Sequence, residues 1–310
     1  MKAVMAQLEA GVSDVFQSGQ YKNYLGTMSK FHHYSFNNIL LIAMQFPAAS
    51  QVAGFNDWKK KFGRQVKKGE HGIKILAPCA YGATLVSELI DPDTDEPVLD
   101  SKGKPIVRRT PISARRFKVV TVFDVSQTEG KELPQIAAEL TGGVERYAEL
   151  SAALAKLSPY PIQFGDLPGT AKGCCDYAEQ QITVRPGMSE AQTLKTLIHE
   201  ITHAKLHSQR QEGDILTPPS PEIRRTREVE AESVAYVVSQ HFGLDTSEYS
   251  FGYIAAWSHG KELPELRASL SVIQAASAEL IDSIEGRGLE RSKAPPRRHT
   301  PKRKPTQPIR

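Results

Sequence analysis

His199, His203 and His207 stand four residues apart in the stretch "LIHEITHAKLH", with Glu200 beside the first of them. On an α-helix, side chains four apart share a face and lie about 6 Å apart along the axis. His199 and His203 can therefore reach a single ion, because zinc takes imidazole nitrogens at about 2.0–2.1 Å. Glu200 sits one step round the helix, beside such an ion but not between its ligands. From there it can take a proton from attacking water. His207 lies about 12 Å along the axis from His199, which two such bonds cannot span unless the helix breaks. "AKLH" offers no glycine for a break, so His207 is excluded from the ligand set and the third ligand must come from elsewhere. The competing reading is a solvated helix face with histidines at chance positions.

The next helix-like stretch contains "EVEAES". Glu228 and Glu232 are four apart and share a face, while Glu230 points elsewhere. One carboxylate can complete the metal site. The other can bind the second ring nitrogen of a ligand histidine and fix its tautomer. Spacing alone allows either order. H-E-x-x-H is a zinc-peptidase pattern in which the glutamate is the general base. The order familiar in glutamate-type zincins makes Glu228 the ligand and Glu232 the residue behind a ligand histidine. The expected cofactor is zinc (Zn2+) or another divalent metal, and a site of this composition can be catalytic or structural. The preceding segment, Tyr177 to Val184, reads as one strand. It is either an edge that accepts an extended peptide by strand addition or an ordinary core strand.

A second cluster lies in the first half of the chain. Lys59, Lys60, Lys61, Arg64, Lys67, Lys68 and Lys74 crowd around Phe55, Trp58 and Phe62. Cations that follow phosphates beside aromatic faces that stack bases are the parts of a single-stranded nucleic acid site. Trp58, Lys59, Lys60, Arg64, Lys67, Lys68 and Lys74 are the candidate contacts, with His32, His33, Tyr34, Asn37 and Asn38 as further polar or aromatic candidates. The plainer alternative is a solvated charged helix with Trp58 and Phe62 in the core.

These residues need elements to hold them. Residues 1–46 show helical periodicity, with Ser35 or Asn37 as cap of "NNILLIAMQF" and Pro47 as its stop. "GFNDWKKKFG" predicts a short helix capped by Asn56 and ended by Gly63. "HGIKILAPCA" and "RFKVVTVFDV" predict strands, joined through turn-rich "DPDTDEPVLDSKGKP" as a long hairpin. "SQTEGKELPQ" reads as a polar connection between domains. Beyond it, a helix, strands, the histidine helix capped by Ser189, the glutamate helix and a last amphipathic helix follow. The expected fold class is α+β, with a domain over 1–130, a linker over 131–139, a second domain over 140–285 and a basic, Pro-rich, disordered tail over 286–310.

The 310 residues are 40% hydrophobic and 24% charged with net charge +4, as in an ordinary globular protein whose charge hints at an acidic partner. The N-terminal segment carries early acids and no long apolar run, which argues against a secretory signal, and no stretch suits a membrane span. Three cysteines without C-x-x-C spacing suit a reducing compartment, so the expected location is the cytoplasm. No helix-turn-helix signal supports a sequence-specific regulator.

"YSFNNILLIAMQFP", "GFNDWKKKFGRQVKKGEHGIKILAP" and "FKVVTVFDVSQTEGKELP" resemble the N-terminal domain of the ArdC-type antirestriction proteins. "TLIHEITHAKLH" followed by "EVEAESVAYVVSQHFGLDTSEYSFGYIAAW" resembles their C-terminal zincin-like metallopeptidase domain. The resemblance runs from about Tyr21 to about Ser283. It implies an N-terminal domain that binds single-stranded DNA and a metal on His199, His203 and Glu228, with Glu200 as catalytic acid/base and a protein as possible substrate. It also implies carriage on conjugative plasmids and protection from host restriction. A DNA-binding protector with a structural metal and no proteolysis is the alternative.

Overall fold

The computed structural model describes residues 1–16, 20–90, 96–99, 103–133, 144–208, 219–244, 246–247, 249 and 251–286. The fold is α+β and divides into two compact units: Met1–Glu139 with Glu248–Gln274, and Leu140–Ser247 with Ala275–Arg310. The expected hairpin tip and the basic tail fall largely outside the described residues. No helix among the described residues is long and apolar enough to cross a membrane.

The first unit opens with α1 (Lys2–Val15), α2 (Gln20–Lys30) and α3 (Phe36–Gln45). Leu8, Val12, Tyr21, Leu25, Met28 and Ile39 recur at helical spacing and are fully buried. Each large apolar side chain so buried contributes about 1.5–3 kcal/mol. An antiparallel sheet in the order β1-β4-β3 follows, built from β1 (Val52–Gly54), β3 (Ile73–Glu88) and β4 (Val107–Asp124). Strand β3 forms one edge, and α3 covers part of it with two amide side chains. Asn38 exchanges two hydrogen bonds with the backbone of Leu76, at 2.8 and 2.9 Å, and Gln45 exchanges two with Lys74, both at 2.9 Å. Edge groups that could otherwise pair with another chain are thereby satisfied. Asn38 is thus a structural residue, buried at 8% exposure, rather than a nucleic acid contact.

Helix α4 (Phe55–Phe62) and β2 (Arg64–Val66) lie between β1 and β3 in sequence. Gly63, at φ 62°, ends α4 as expected; at the other end Gly54, not Asn56, is the N-cap. "SQTEG" is not a free connection. After a 3-10 turn over Val125–Gln127 it forms β5 (Thr128–Gly130), which pairs with β2. The turn hangs on Asp124, which is 1% exposed. Its carboxylate accepts from the backbone of Ser50 (2.7 Å), Gln51 (3.0 Å) and Ser126 (3.0 Å) and from the Ser126 hydroxyl (2.8 Å).

The second unit begins with α5 (Val144–Leu157) and a three-stranded sheet of β6 (Ile162–Phe164), β7 (Gly173–Asp176) and β8 (Gln181–Val184). The order is β6-β8-β7, with β8 parallel to β6 and antiparallel to β7. Tyr177 to Val184 is therefore not one strand. Asp176 Oδ1 accepts from Ala178 and Glu179 at 2.8 and 3.0 Å, and Gln180 takes a left-handed φ of 51°, so the chain turns there. Strand β8 is central and fully paired, which removes it as a peptide-binding edge. Helices α6 (Glu190–His207) and α7 (Pro221–His241) pack on each other, and α6 also packs on β7 and β8.

Residues 249–274 belong to the first unit although they follow the second in sequence. Phe251 stacks edge-on to Tyr21, and Trp257, in α8 (Ile254–Ser258), lies 5.5 Å from Phe16. The division between units falls inside α9 (Leu263–Ile284), at Gln274.

Burial raises the Asp124 pKa, but the four hydrogen bonds outweigh it and hold the group below its ordinary value. Asp124→Ala is expected to cost about 3 kcal/mol in urea denaturation. Because the folded pKa is depressed, this stabilisation is complete above the unfolded value of about 3.9 and fades as pH falls below it. The wild-type and Asp124→Ala stabilities should therefore converge in acid.

Candidate metal centre

Ser189 caps α6, its hydroxyl accepting from Gln192 N at 3.3 Å, and Ser220 caps α7 in the same way through Ile223 N at 3.2 Å. Leu194, Leu197, Ile198, Ile201 and Ala204 form one buried stripe of α6. Burying that stripe fixes the rotation of α6 and carries His199 and His203 to α7. There Glu228 reaches both: its Oε2 lies 3.5 Å from His199 Nε2 and its Oε1 lies 3.4 Å from His203 Nε2. The two Nε2 atoms are 3.0 Å apart. Two bonds of about 2.05 Å meeting at a tetrahedral angle place their donors roughly 3.3 Å apart. Glu228 meets each ring with a different oxygen, and one ligand atom from each of the three residues lies within 4.8 Å of the others, so two imidazoles and one carboxylate can gather on a divalent cation with small side-chain adjustments. The Glu228 side chain is 63% exposed, so the cluster opens to solvent on its side.

Glu232 lies behind the first ligand, with Oε2 3.4 Å from His199 Nδ1. Behind the second, His203 Nδ1 is 3.0 Å from His207 Nδ1 and 3.5 Å from the Tyr177 hydroxyl. His207 Nε2 in turn is 3.2 Å from Glu230 Oε2. Sequence reasoning discards both His207 and Glu230. The signal that could have found His207 is its four-residue step from His203, which makes it a neighbour of that ring even though it cannot reach the ion.

Glu200 is 7% exposed and faces β7. A Cβ built on Gly173 would lie 2.5 Å from Glu200 Oε1 and 2.8 Å from its Cγ, so only glycine allows this approach. Burial and the charge of Glu228 raise the Glu200 pKa, while His199 and the Cys175 backbone lower it; the balance puts it at about 7. Burial pushes His199 down, but hydrogen bonds to Glu228 and Glu232 overcome this and raise it to about 10. The same two histidines, as hydrogen-bond partners, hold Glu228 far below the carboxylate range. His203 is lowered, chiefly by burial. Burial first, then the nearby Glu200, pushes the Cys175 thiol up to about 12. It stays protonated and is no thiolate ligand.

The basic cluster of the first unit divides. Lys59, Lys60, Lys67, Lys68 and Lys74 are exposed, as are Arg116 and Lys118 on β4. Trp58 is not available for stacking: it is 1% exposed and its indole donates to Phe123 O at 2.8 Å. Arg64 is committed to β5, donating to Thr128 Oγ1 (2.7 Å), Thr128 O (2.9 Å) and Lys131 O (2.6 Å). The exposed aromatic rings here are Phe55 (53%), Phe62 (40%) and Phe117 (60%). Helix amphipathicity could not have found the first two: Phe55 and Phe62 lie three and four residues from Trp58, on its own face, yet stand at the helix ends where that face reaches solvent.

Because His199 must lose a proton to bind a metal, cation affinity should rise with pH up to about 10, close to tenfold per unit below that. Chelator competition at several pH values checks this. Glu232→Ala should weaken binding about tenfold by releasing the His199 ring.

Residues 1–123 match the family described as the N-terminal domain of anti-restriction factor ArdC. The chain is 30% identical over 287 residues to the uncharacterized protein pXO2-81 of Bacillus anthracis, covering 83% of this chain and 46% of that protein. It is 26% identical over 198 residues to DNA primase TraC of Escherichia coli, covering 63% of this chain and 13% of the primase. The chain thus spans less than half the length of these curated relatives. Among solved structures it is similar to the antirestriction protein ArdC from plasmid R388. The metal-free form is 21% identical at TM-score 0.45, covering 81% of this chain and 85% of that one. The Mn(II)-bound form is 17% identical at TM-score 0.47, covering 81% and 83%. Residues 1–123 thus form an ArdC-type N-terminal domain.

Proposed function

We propose that the chain is an antirestriction protein of a mobile element, with a first unit that binds single-stranded DNA and a second unit that carries a zinc-dependent peptidase-like site. The observation that carries the second part is the His199, His203 and Glu228 cluster with Glu200 beside it. Zinc, or another divalent cation, supplies Lewis acidity that makes water a nucleophile near neutral pH. His199, His203 and Glu228 hold the cation, and Glu232 orients His199. Glu200, balanced near neutrality, takes a proton from the attacking water and delivers it to the departing amine as the peptide C–N bond breaks. A protein is therefore the expected substrate.

For DNA, the exposed lysines neutralise phosphates while Phe55, Phe62 and Phe117 offer faces for bases. The N-terminal family match supports this reading, because that domain carries the cluster.

A second reading is a protector without proteolysis, in which the cation is structural. The deep burial of Glu200 and its hydrogen bond from the Cys175 backbone favour it. Glu200→Gln separates the two. Loss of hydrolysis with metal content and DNA affinity retained supports the peptidase. Full protection and full activity in that variant would leave only the structural role.

Gly173→Ala is expected to displace Glu200 and lower hydrolysis about 100-fold in a peptide-library assay, with metal stoichiometry unchanged. Phe62→Ala or Phe117→Ala should weaken single-strand binding about tenfold, read by fluorescence anisotropy. Neutralising Lys59, Lys60, Lys67 and Lys68 together should flatten its salt dependence.

A further inference from the structure

We propose that His207 and Glu230 form a hydrogen-bonded relay that fixes the tautomer of His203 and so presents its Nε2 to the metal. This rests on the metal-site reading above. His203 Nε2 is the ring atom that faces Glu228 (3.4 Å) and His199 (3.0 Å), so as a ligand it must be bare. A neutral imidazole carries one N–H, which then sits on Nδ1. The nearest partner of that Nδ1 is His207 Nδ1 at 3.0 Å, which must accept. His207 therefore carries its own proton on Nε2, where it donates to Glu230 Oε2 at 3.2 Å. One assignment of protons satisfies all three contacts, and it leaves the ligand nitrogen free.

The surroundings support the relay. The His207 and Glu230 side chains are 5% and 12% exposed, so water does not readily replace either partner. The Tyr177 hydroxyl, at 3.5 Å from the same Nδ1, is at the outer limit of a hydrogen bond and is the weaker competitor. The two ligand histidines are thus oriented by different devices: His199 meets a carboxylate directly, and His203 meets one through a second imidazole. The four-residue step that keeps His207 from the ion is what sets it against His203. His207 and Glu230 are positioning residues: neither touches the metal.

The test uses the full chain loaded with zinc. Long-range proton–nitrogen correlation spectra should show His203 protonated on Nδ1 and His207 on Nε2. Chelator competition should show His207→Leu and Glu230→Leu each raising the zinc Kd about tenfold or more. His207→Asn, whose side-chain oxygen can accept where Nδ1 stood, should restore Kd to within a few-fold, and Tyr177→Phe should leave it unchanged. A His207 proton on Nδ1, wild-type Kd in both leucine variants, or a loss confined to Tyr177→Phe would overturn the relay while leaving the metal site standing. The wild-type spectrum decides the matter even if a leucine variant fails to fold. A folded wild type that binds no zinc would instead overturn the metal site itself, and the relay with it.

Discussion

The candidate site of the second unit depends on one contact: the Glu228 carboxylate laid across two imidazole nitrogens of the neighbouring helix. Neither helix could hold that geometry alone. Helix α6 supplies two rings four residues apart, and its buried leucines and isoleucines set the direction in which they point. Helix α7 supplies the carboxylate at the matching height, with Glu232 one turn further on against the back of His199. Around this contact the polar groups fall into order. His199 holds a proton that a cation must displace, and Glu228 stays ionised. Glu200 is kept near neutrality by burial against a glycine of β7.

The first unit shows how the same residue types are diverted into structure. Trp58 and Arg64 belong by type to a nucleic acid site, yet both close the fold, one through a carbonyl of β4 and the other through β5. What remains outside is a set of exposed lysines and three phenylalanines. Under the proposed DNA-binding role, such a surface would follow a phosphate backbone and stack on bases of any kind.

Much of this was legible from local rules. The four-residue spacing of His199, His203, Glu228 and Glu232 led to the groups that the fold assembles, and Ser189 and Gly63 mark helix ends as their chemistry requires. The failures share a cause: each depends on a partner distant in sequence or on an unusual turn. The break between β7 and β8 has no Gly or Pro; it is made by an Asp176 side chain and a left-handed Gln180, so the stretch reads as one strand. Glu230 meets His207 only because of how α6 and α7 cross, which helical periodicity within either one does not determine. The return of residues 249–274 to the first unit rests on aromatic contacts with Phe16 and Tyr21, more than 200 positions away.

The central claim is that two histidines of α6 and one glutamate of α7 bind a divalent cation. X-ray absorption at the zinc edge on the zinc-loaded chain tests it directly. The expected result is a shell of nitrogen and oxygen at about 2.0–2.1 Å with the outer scattering of two imidazoles, reduced to one imidazole in His203→Ala. A sulfur shell at about 2.3 Å, or a spectrum without imidazole scattering, would contradict it.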